Sequence, residues 1–163
     1  MPKVVVNSTP LIILCNIDLL FVLKELYGEI FIPEAVFNEV TAKQDDTACK
    51  KIKTETDWIK IVKIPQNEKL KIYRARLHSG EVEVMLLAQK KPAADLVIID
   101  DNAAKTTAKF LGLKVTGTLG VLLKAKKNRI IKKIKPYIKK MKEKGFYISD
   151  KIEKLVLSLS DEQ

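Results

Sequence analysis

Two stretches of this chain are uninterrupted runs of mainly apolar residues that end abruptly in polar groups. Ala94-Asp95-Leu96-Val97-Ile98-Ile99 runs into Asp100-Asp101-Asn102, and Lys3-Val4-Val5-Val6 runs into Asn7-Ser8-Thr9-Pro10. Largely β-branched runs without polar alternation predict strands buried on both faces, as in a parallel sheet. In open α/β sheets ligands bind at the carboxyl ends of strands. If these two strands are neighbours, Asn7, Ser8, Asp100 and Asp101 share one rim.

The intervening pattern alternates between helix and strand. Thr9-Pro10 reads as an N-cap followed by proline at the first helical position. Leu11, Ile12, Leu14, Cys15, Leu19, Leu20, Val22, Leu23 and Leu26 then supply a broad apolar face for one broken or two consecutive helices, closed by Gly28. Glu29-Ile30-Phe31-Ile32 predicts a short strand, and Pro33 opens a helix through Val40. A polar turn over Gln44-Asp45-Asp46-Thr47 leads into another short helix. Trp58 to Ile64, with lysines interleaved, predicts a strand nearer the sheet edge, ended by Pro65.

Helices are expected from Glu68 to Leu77 and, after Ser79-Gly80, from Glu81 to Gln89. Beyond the 94–99 strand, a helix from Asn102 to Leu111 stops at Gly112, Leu113-Lys114-Val115 forms a last strand, and a helix runs from Gly117 to Lys127. Ile130, Ile134, Ile138 and Met141 then recur at helical spacing opposite lysines, which predicts an amphipathic helix with one basic face, kinked or restarted at Pro136. Gly145 ends it, and Ser149 caps a final helix bearing Ile152, Leu155, Val156 and Leu159.

This alternation predicts an α/β fold with a mainly parallel central sheet. At 163 residues a single domain is expected, with an α/β core over 1–127 and a basic helical C-terminal extension over 128–163. A chain 47% hydrophobic and 31% charged is not a disordered one, and it has no apolar run long enough to span a bilayer. Met1-Pro2-Lys3 leads into a strand rather than a signal-peptide core, so a cytoplasmic protein without membrane association is expected. Cys15 and Cys49 form no Cys-x-x-Cys pair and read as buried free thiols. The net charge of +10 suits a polyanionic partner, nucleic acid first, although a lysine- and isoleucine-rich thermophilic bias yields the same sign.

The residues able to carry chemistry are Asn7, Ser8, Glu39, Glu81, Asp100 and Asp101. With His78 the only histidine, neither a histidine base nor a zinc site has support. Oxygen donors alone favour a hard ion such as magnesium or manganese, which activates water against a phosphodiester. Singly, each residue also has a structural explanation: Asp101 as a helix cap, Glu81 as a first-turn acid complementing the macrodipole, Glu39 as a helical-spacing partner of Lys43. Those explanations do not account for acids recurring at strand ends. Gly117-Thr118-Leu119-Gly120 lacks the fuller phosphate-binding patterns, so close strand-to-helix packing is the reading for its glycines. The C-terminal lysines are by default a solvated face, with RNA backbone contact as the alternative. Trp58, Tyr73 and Tyr147 read as core or interface aromatics and His78 as a surface loop residue.

Five segments occur in an order that resembles a known family: Val4 to Ile12, Ile32 to Val40, Gly80 to Val84, Val97 to Asp101, and Thr116-Gly117-Thr118-Leu119-Gly120-Val121-Leu122. With the Gly145-Phe146 and Ile148-Ser149-Asp150 tail, the chain resembles the PIN-like proteins of the DUF3368 group, which are similar to VapC-type toxin ribonucleases. The resemblance implies a three-layer α/β/α sandwich, and magnesium- or manganese-dependent endonucleolytic hydrolysis of single-stranded RNA. It further implies a homodimer and a small antitoxin protein as partner. Glu39, Glu81 and Asp100 or Asp101 match the family's acids as catalytic residues and metal ligands, and Ser8 and Thr118 are supporting residues.

Asn7 falls where the family has its first aspartate. It offers a neutral carbonyl in place of a carboxylate, which removes a charge from the metal ligands. The alternative reading is therefore a catalytically weakened or inactive PIN-like module that binds RNA or protein. A phosphoryl-acceptor receiver domain also gathers acids on a doubly wound sheet, but its acidic pair follows the first strand. Of Glu81 and Glu83, half a turn apart, Glu81 is preferred. The choice between Asp100 and Asp101, which point to opposite sides of a regular strand, stays open.

Overall fold

The computed structural model describes residues 2–42, 47–65 and 79–163. The turn expected from Gln44, the helix expected from Glu68 to Leu77, Lys43, Tyr73 and His78 lie outside these residues, as does the side chain of Cys49. The elements are β1 (Val4–Val6), α1 (Ser8–Asn16), α2 (Phe21–Tyr27), β2 (Ile30–Pro33), α3 (Glu34–Val40), α4 (Thr47–Thr54) and β3 (Ile59–Val62), followed by α5 (Ser79–Gln89), β4 (Leu96–Ile98), α6 (Asn102–Phe110), β5 (Val115–Thr116), α7 (Thr118–Lys127), α8 (Lys135–Glu143) and α9 (Asp150–Leu159).

The five strands pair in parallel in the order β3-β2-β1-β4-β5. Val4, Val5, Val6, Val97 and Ile98 are fully buried, so the two apolar runs are the paired centre of the sheet, as their lack of alternation predicts. Each such side chain contributes about 1.5–3 kcal/mol on burial, which anchors the strand ends next to them. Val4, Val5 and Val6 register with Leu96, Val97 and Ile98, and the Asn7 amide donates to the Ile98 carbonyl at 3.0 Å. β3 is the edge strand expected, with Lys60 and Ile61 exposed. Helix α3 packs on both α1 and α5, and α5 lies on β1 and β2, while α7 packs on α1, α2 and α9. The result is the α/β sandwich that the alternation of elements predicts.

Among the boundaries that differ from the sequence reading, three have a clear local reason. α1 begins at Ser8 rather than after Thr9: Asn7 takes the cap position with extended backbone (φ −81°, ψ 170°), yet its side chain makes no cap hydrogen bond. β5 begins two residues after Leu113 because the Leu113 amide closes α6, donating to the Ala108 carbonyl at 3.0 Å behind a left-handed Gly112 (φ 79°). The expected helix through Ile130 and Ile134 is absent. α7 stops at Lys127, Arg129 turns left-handed (φ 61°), and the Ile130 amide returns to the Ala125 carbonyl at 2.9 Å. Ile134 is still fully buried, so its helical spacing reflects burial from an irregular segment, and α8 starts afresh with Pro136 in its first turn.

Candidate functional site

Chain direction across the sheet reverses between β1 and β4. From β1 the order proceeds to β2 and β3 on one side, and from β4 to β5 on the other. Such a switch point leaves a crevice at the carboxyl ends of the two strands. Asn7 and Ser8 leave β1 there, and Asp100 and Asp101 follow β4, so the four share the rim expected of them.

The structure separates the two aspartates. Asp101 Oδ2 accepts from the Ala104 amide at 2.8 Å and caps α6. Asp100 turns the other way: Oδ1 accepts from the Thr118 amide at 2.8 Å and Oδ2 from the Thr118 hydroxyl at 2.7 Å. One residue at the start of α7 thus grips both carboxylate oxygens. Thr118 is 1% exposed and Asp100 half-buried, so this acid is held in one orientation while keeping a face to solvent.

Gly117 makes the grip possible. A Cβ at 117 would stand 2.7 Å from Asp100 Oδ1, 2.9 Å from Lys105 Nζ and 3.4 Å from the Ile99 carbonyl oxygen. Its φ of −112° suits any residue, so space alone requires glycine. At Gly120 a Cβ would fall 2.0 Å from Thr116 Oγ1, which confirms close strand-to-helix packing as the reason for this second glycine.

On the β1 side, Ser8 Oγ lies 3.0 and 2.9 Å from the two oxygens of Glu39, donating its proton between them. Ser8 is buried and Glu39 exposed, so the hydroxyl steadies a carboxylate that faces water. Gly80, opening α5, approaches the same group: its Cβ position would be 3.8 Å from Glu39 Oε2. Glu81 follows directly and is buried, at 7% exposure. Glu83, set aside by the sequence reading, is more buried still at 3%, and its Oε1 accepts from the Ala35 amide at 3.4 Å. That amide belongs to the first turn of α3, so Glu83 supplies an acid to an N-terminus that lacks a side-chain cap.

Asn7 is 5% exposed, and its Oδ1 is buried without a hydrogen-bond partner among the described residues. A buried acceptor left unpaired costs about 1–3 kcal/mol unless a ligand uses it. Among the described residues no three His, Cys, Asp or Glu side chains converge closely enough to hold a metal. A magnesium-like ion does not require such a cage, because it binds through one or two carboxylates and completes its shell with water and phosphate oxygens. An orphaned carbonyl oxygen with Glu39 and Asp100 on the same rim is chemically that kind of donor set.

Asp100, Thr118 and Lys105 open into a cavity of about 590 Å³ whose far wall includes Phe146, Tyr147 and Ile152. Tyr147 is 90% exposed, unlike the buried Trp58, so it is no core aromatic within this chain. Lys105 escaped the sequence reading, although its place one turn beyond Asp101 on a helix starting at the rim is a usable signal.

The family model of DUF3368, a PIN domain, matches residues 3–162. The chain belongs to this PIN-domain family. PIN domains are generally nucleases and typically use divalent metals, so this DUF3368 chain carries a nuclease-type fold. No curated protein matches the chain. Among the described residues no helix is long and apolar enough to cross a membrane.

Proposed function

We propose that this DUF3368 chain is a metal-dependent endoribonuclease of the VapC toxin type, hydrolysing phosphodiester bonds in single-stranded RNA. The observation that carries the reading is the pair of braced carboxylates at the switch point: Asp100 gripped by Thr118, and Glu39 by Ser8. A net charge of +10 favours a polyanionic substrate over a neutral one. Glu39, Asp100, Glu81 and the Asn7 carbonyl are the residues that would hold magnesium or manganese. A divalent ion supplies hydroxide at neutral pH and offsets the charge of the phosphodiester in transit.

The chain's own contribution is orientation. Thr118 and Ser8 fix two carboxylates before substrate arrives, which spares the cost of ordering them during the reaction. Asp101, engaged as a cap, shapes the rim by starting α6. A homodimer and a small antitoxin that blocks the groove belong to the same proposal, as partners of a toxin-type ribonuclease.

Asn7 favours a second reading, a PIN-like module that binds RNA or protein with weakened or no cleavage, since a neutral donor lowers the charge available to an ion. Incubating a mixed single-stranded RNA pool with the protein in manganese, magnesium or chelator separates the two. Cleavage in metal that stops in chelator supports the ribonuclease. Intact RNA that is nevertheless bound supports the module.

A further inference from the structure

Lys105 is a half-buried cation on the wall of the cavity. It lies on α6, one turn beyond the Asp101 cap, and its amide is bonded to the Asp101 carbonyl at 2.9 Å. Among the described residues its ammonium forms no hydrogen bond and no ion pair, whereas Lys51, Lys126, Lys140 and Lys142 all have carboxylate partners. Its Nζ and Asp100 Oδ1 both come within 3 Å of the point where a Cβ on Gly117 would sit, at 2.9 and 2.7 Å. The Asp100 oxygens already accept from Thr118, so that carboxylate does not depend on the lysine for its hydrogen bonds. Glycine at 117 keeps open the space that the two groups border, and both line the same cavity.

The geometry points to Lys105 as the phosphate-contacting residue of this groove, donating to a backbone phosphate oxygen of single-stranded RNA while Asp100 stands beside it. The assignment rests on the RNA reading above and adds the residue that positions the substrate. An ammonium that is partly desolvated and unpaired attracts an anion more strongly than the solvated lysines of the surface. A phosphate drawn to it next to a carboxylate rim is placed where hydrolysis would occur. Lysine acts here as a point charge, so arginine at 105 would preserve the contact in part.

The test is binding of a short fluorescent oligouridylate, followed by anisotropy in chelator over a series of salt concentrations. The proteins are wild type, Lys105→Ala, Lys105→Gln, Lys105→Arg and a remote control, Lys60→Ala, whose exposed ammonium on the edge strand donates to the Asp57 carbonyl at 2.8 Å. Loss of one phosphate contact is expected to weaken binding about fivefold and to make the log–log salt dependence shallower by about 0.7. Lys105→Ala and Lys105→Gln should both show this, Lys105→Arg should stay within about twofold of wild type, and Lys60→Ala should match wild type. Circular dichroism melts check that each variant is folded, and either neutral variant suffices. Wild-type affinity and salt slope in a folded Lys105→Ala or Lys105→Gln would overturn the assignment and leave the ribonuclease reading standing. A wild type that binds no RNA overturns the assignment, while the ribonuclease reading is decided separately by cleavage in metal.

Discussion

Glu162, nearly the last residue, holds the C-terminal third of the chain together, and removing its charge should be costly. The Asp161 turn (φ 58°) swings it back so that its carboxylate accepts from the Ile134 amide at 2.7 Å and the Lys135 amide at 3.1 Å. Lys126, at the end of α7, pairs with it at 3.0 Å and also donates to the Ser160 carbonyl. One side chain, only 7% exposed, therefore caps the start of α8 and ties it to α7 and to the tail of α9. Burial by itself would raise the carboxyl pKa, but the two amides, Lys126 and Ser160 outweigh it and hold the group at about 2, below its ordinary value of 4.5.

In Glu162→Gln an amide oxygen placed as Oε1 still reaches both backbone donors, 3.0 Å from the Ile134 amide and 3.1 Å from the Lys135 amide. Its NH₂ takes the place of Oε2 and confronts the Ile134 amide and the Lys126 ammonium, so Lys126 loses its anion. Losing the charged hydrogen bond from Lys126 and the charge assistance to the two backbone amides amounts to about 3 kcal/mol, or roughly 6–12 °C in Tm for a domain of this size. The folded pKa lies below the unfolded one, so the stabilisation is complete above 4.5 and is lost as pH falls through that value toward about 2. Urea unfolding followed by circular dichroism should give a wild-type advantage that is constant from about pH 8 to about pH 5.5 and shrinks below about pH 4.5. No advantage near pH 7, or one that stays undiminished at about pH 3, would refute this account of Glu162.

Three further outcomes follow from the site and the turns. Gly117→Ala places a methyl 2.7 Å from Asp100 Oδ1, so cleavage should fall at least tenfold while the melting temperature drops by only a few degrees; full activity would show that Asp100 need not hold its position. Thr118→Val removes the hydroxyl donor 2.7 Å from Asp100 Oδ2 while keeping the amide, and about 1–2 kcal/mol of stability in urea titrations together with most of the activity should go with it. Arg129→Gly relieves a left-handed non-glycine residue (φ 61°) and should raise stability by about 0.5–1 kcal/mol, whereas destabilisation would mean that the arginine side chain makes up for its backbone strain.

The layout of the sheet was legible because its central strands have no alternation at all: Val4 to Val6 and Val97 to Ile98 are fully buried. The order of elements, the edge position of β3 and the cap at Ser149, which accepts from the Ile152 amide at 3.2 Å, follow from local signals of the same kind. What escaped depends on contacts distant in sequence or on backbone states that residue type does not announce. Asp100 differs from Asp101 through Thr118, eighteen positions away. Glu83 gained its role from the Ala35 amide of another helix, and Lys105 stands out only because, among the described residues, it forms no ion pair. Arg129, in a conformation that favours glycine, ended a helix that the spacing of isoleucines would have continued.

The central claim is that the rim at the β1/β4 switch point cleaves RNA, and three proteins test it most directly. Wild type, Asn7→Asp and Asp100→Asn should be compared for the rate of single-stranded RNA cleavage in manganese. The account predicts the order Asn7→Asp above wild type, and wild type above Asp100→Asn, because the first change restores a carboxylate at a buried unpaired oxygen position and the last removes the charge that Thr118 holds in place. Equal rates in all three folded proteins, or no cleavage even by Asn7→Asp, would contradict it.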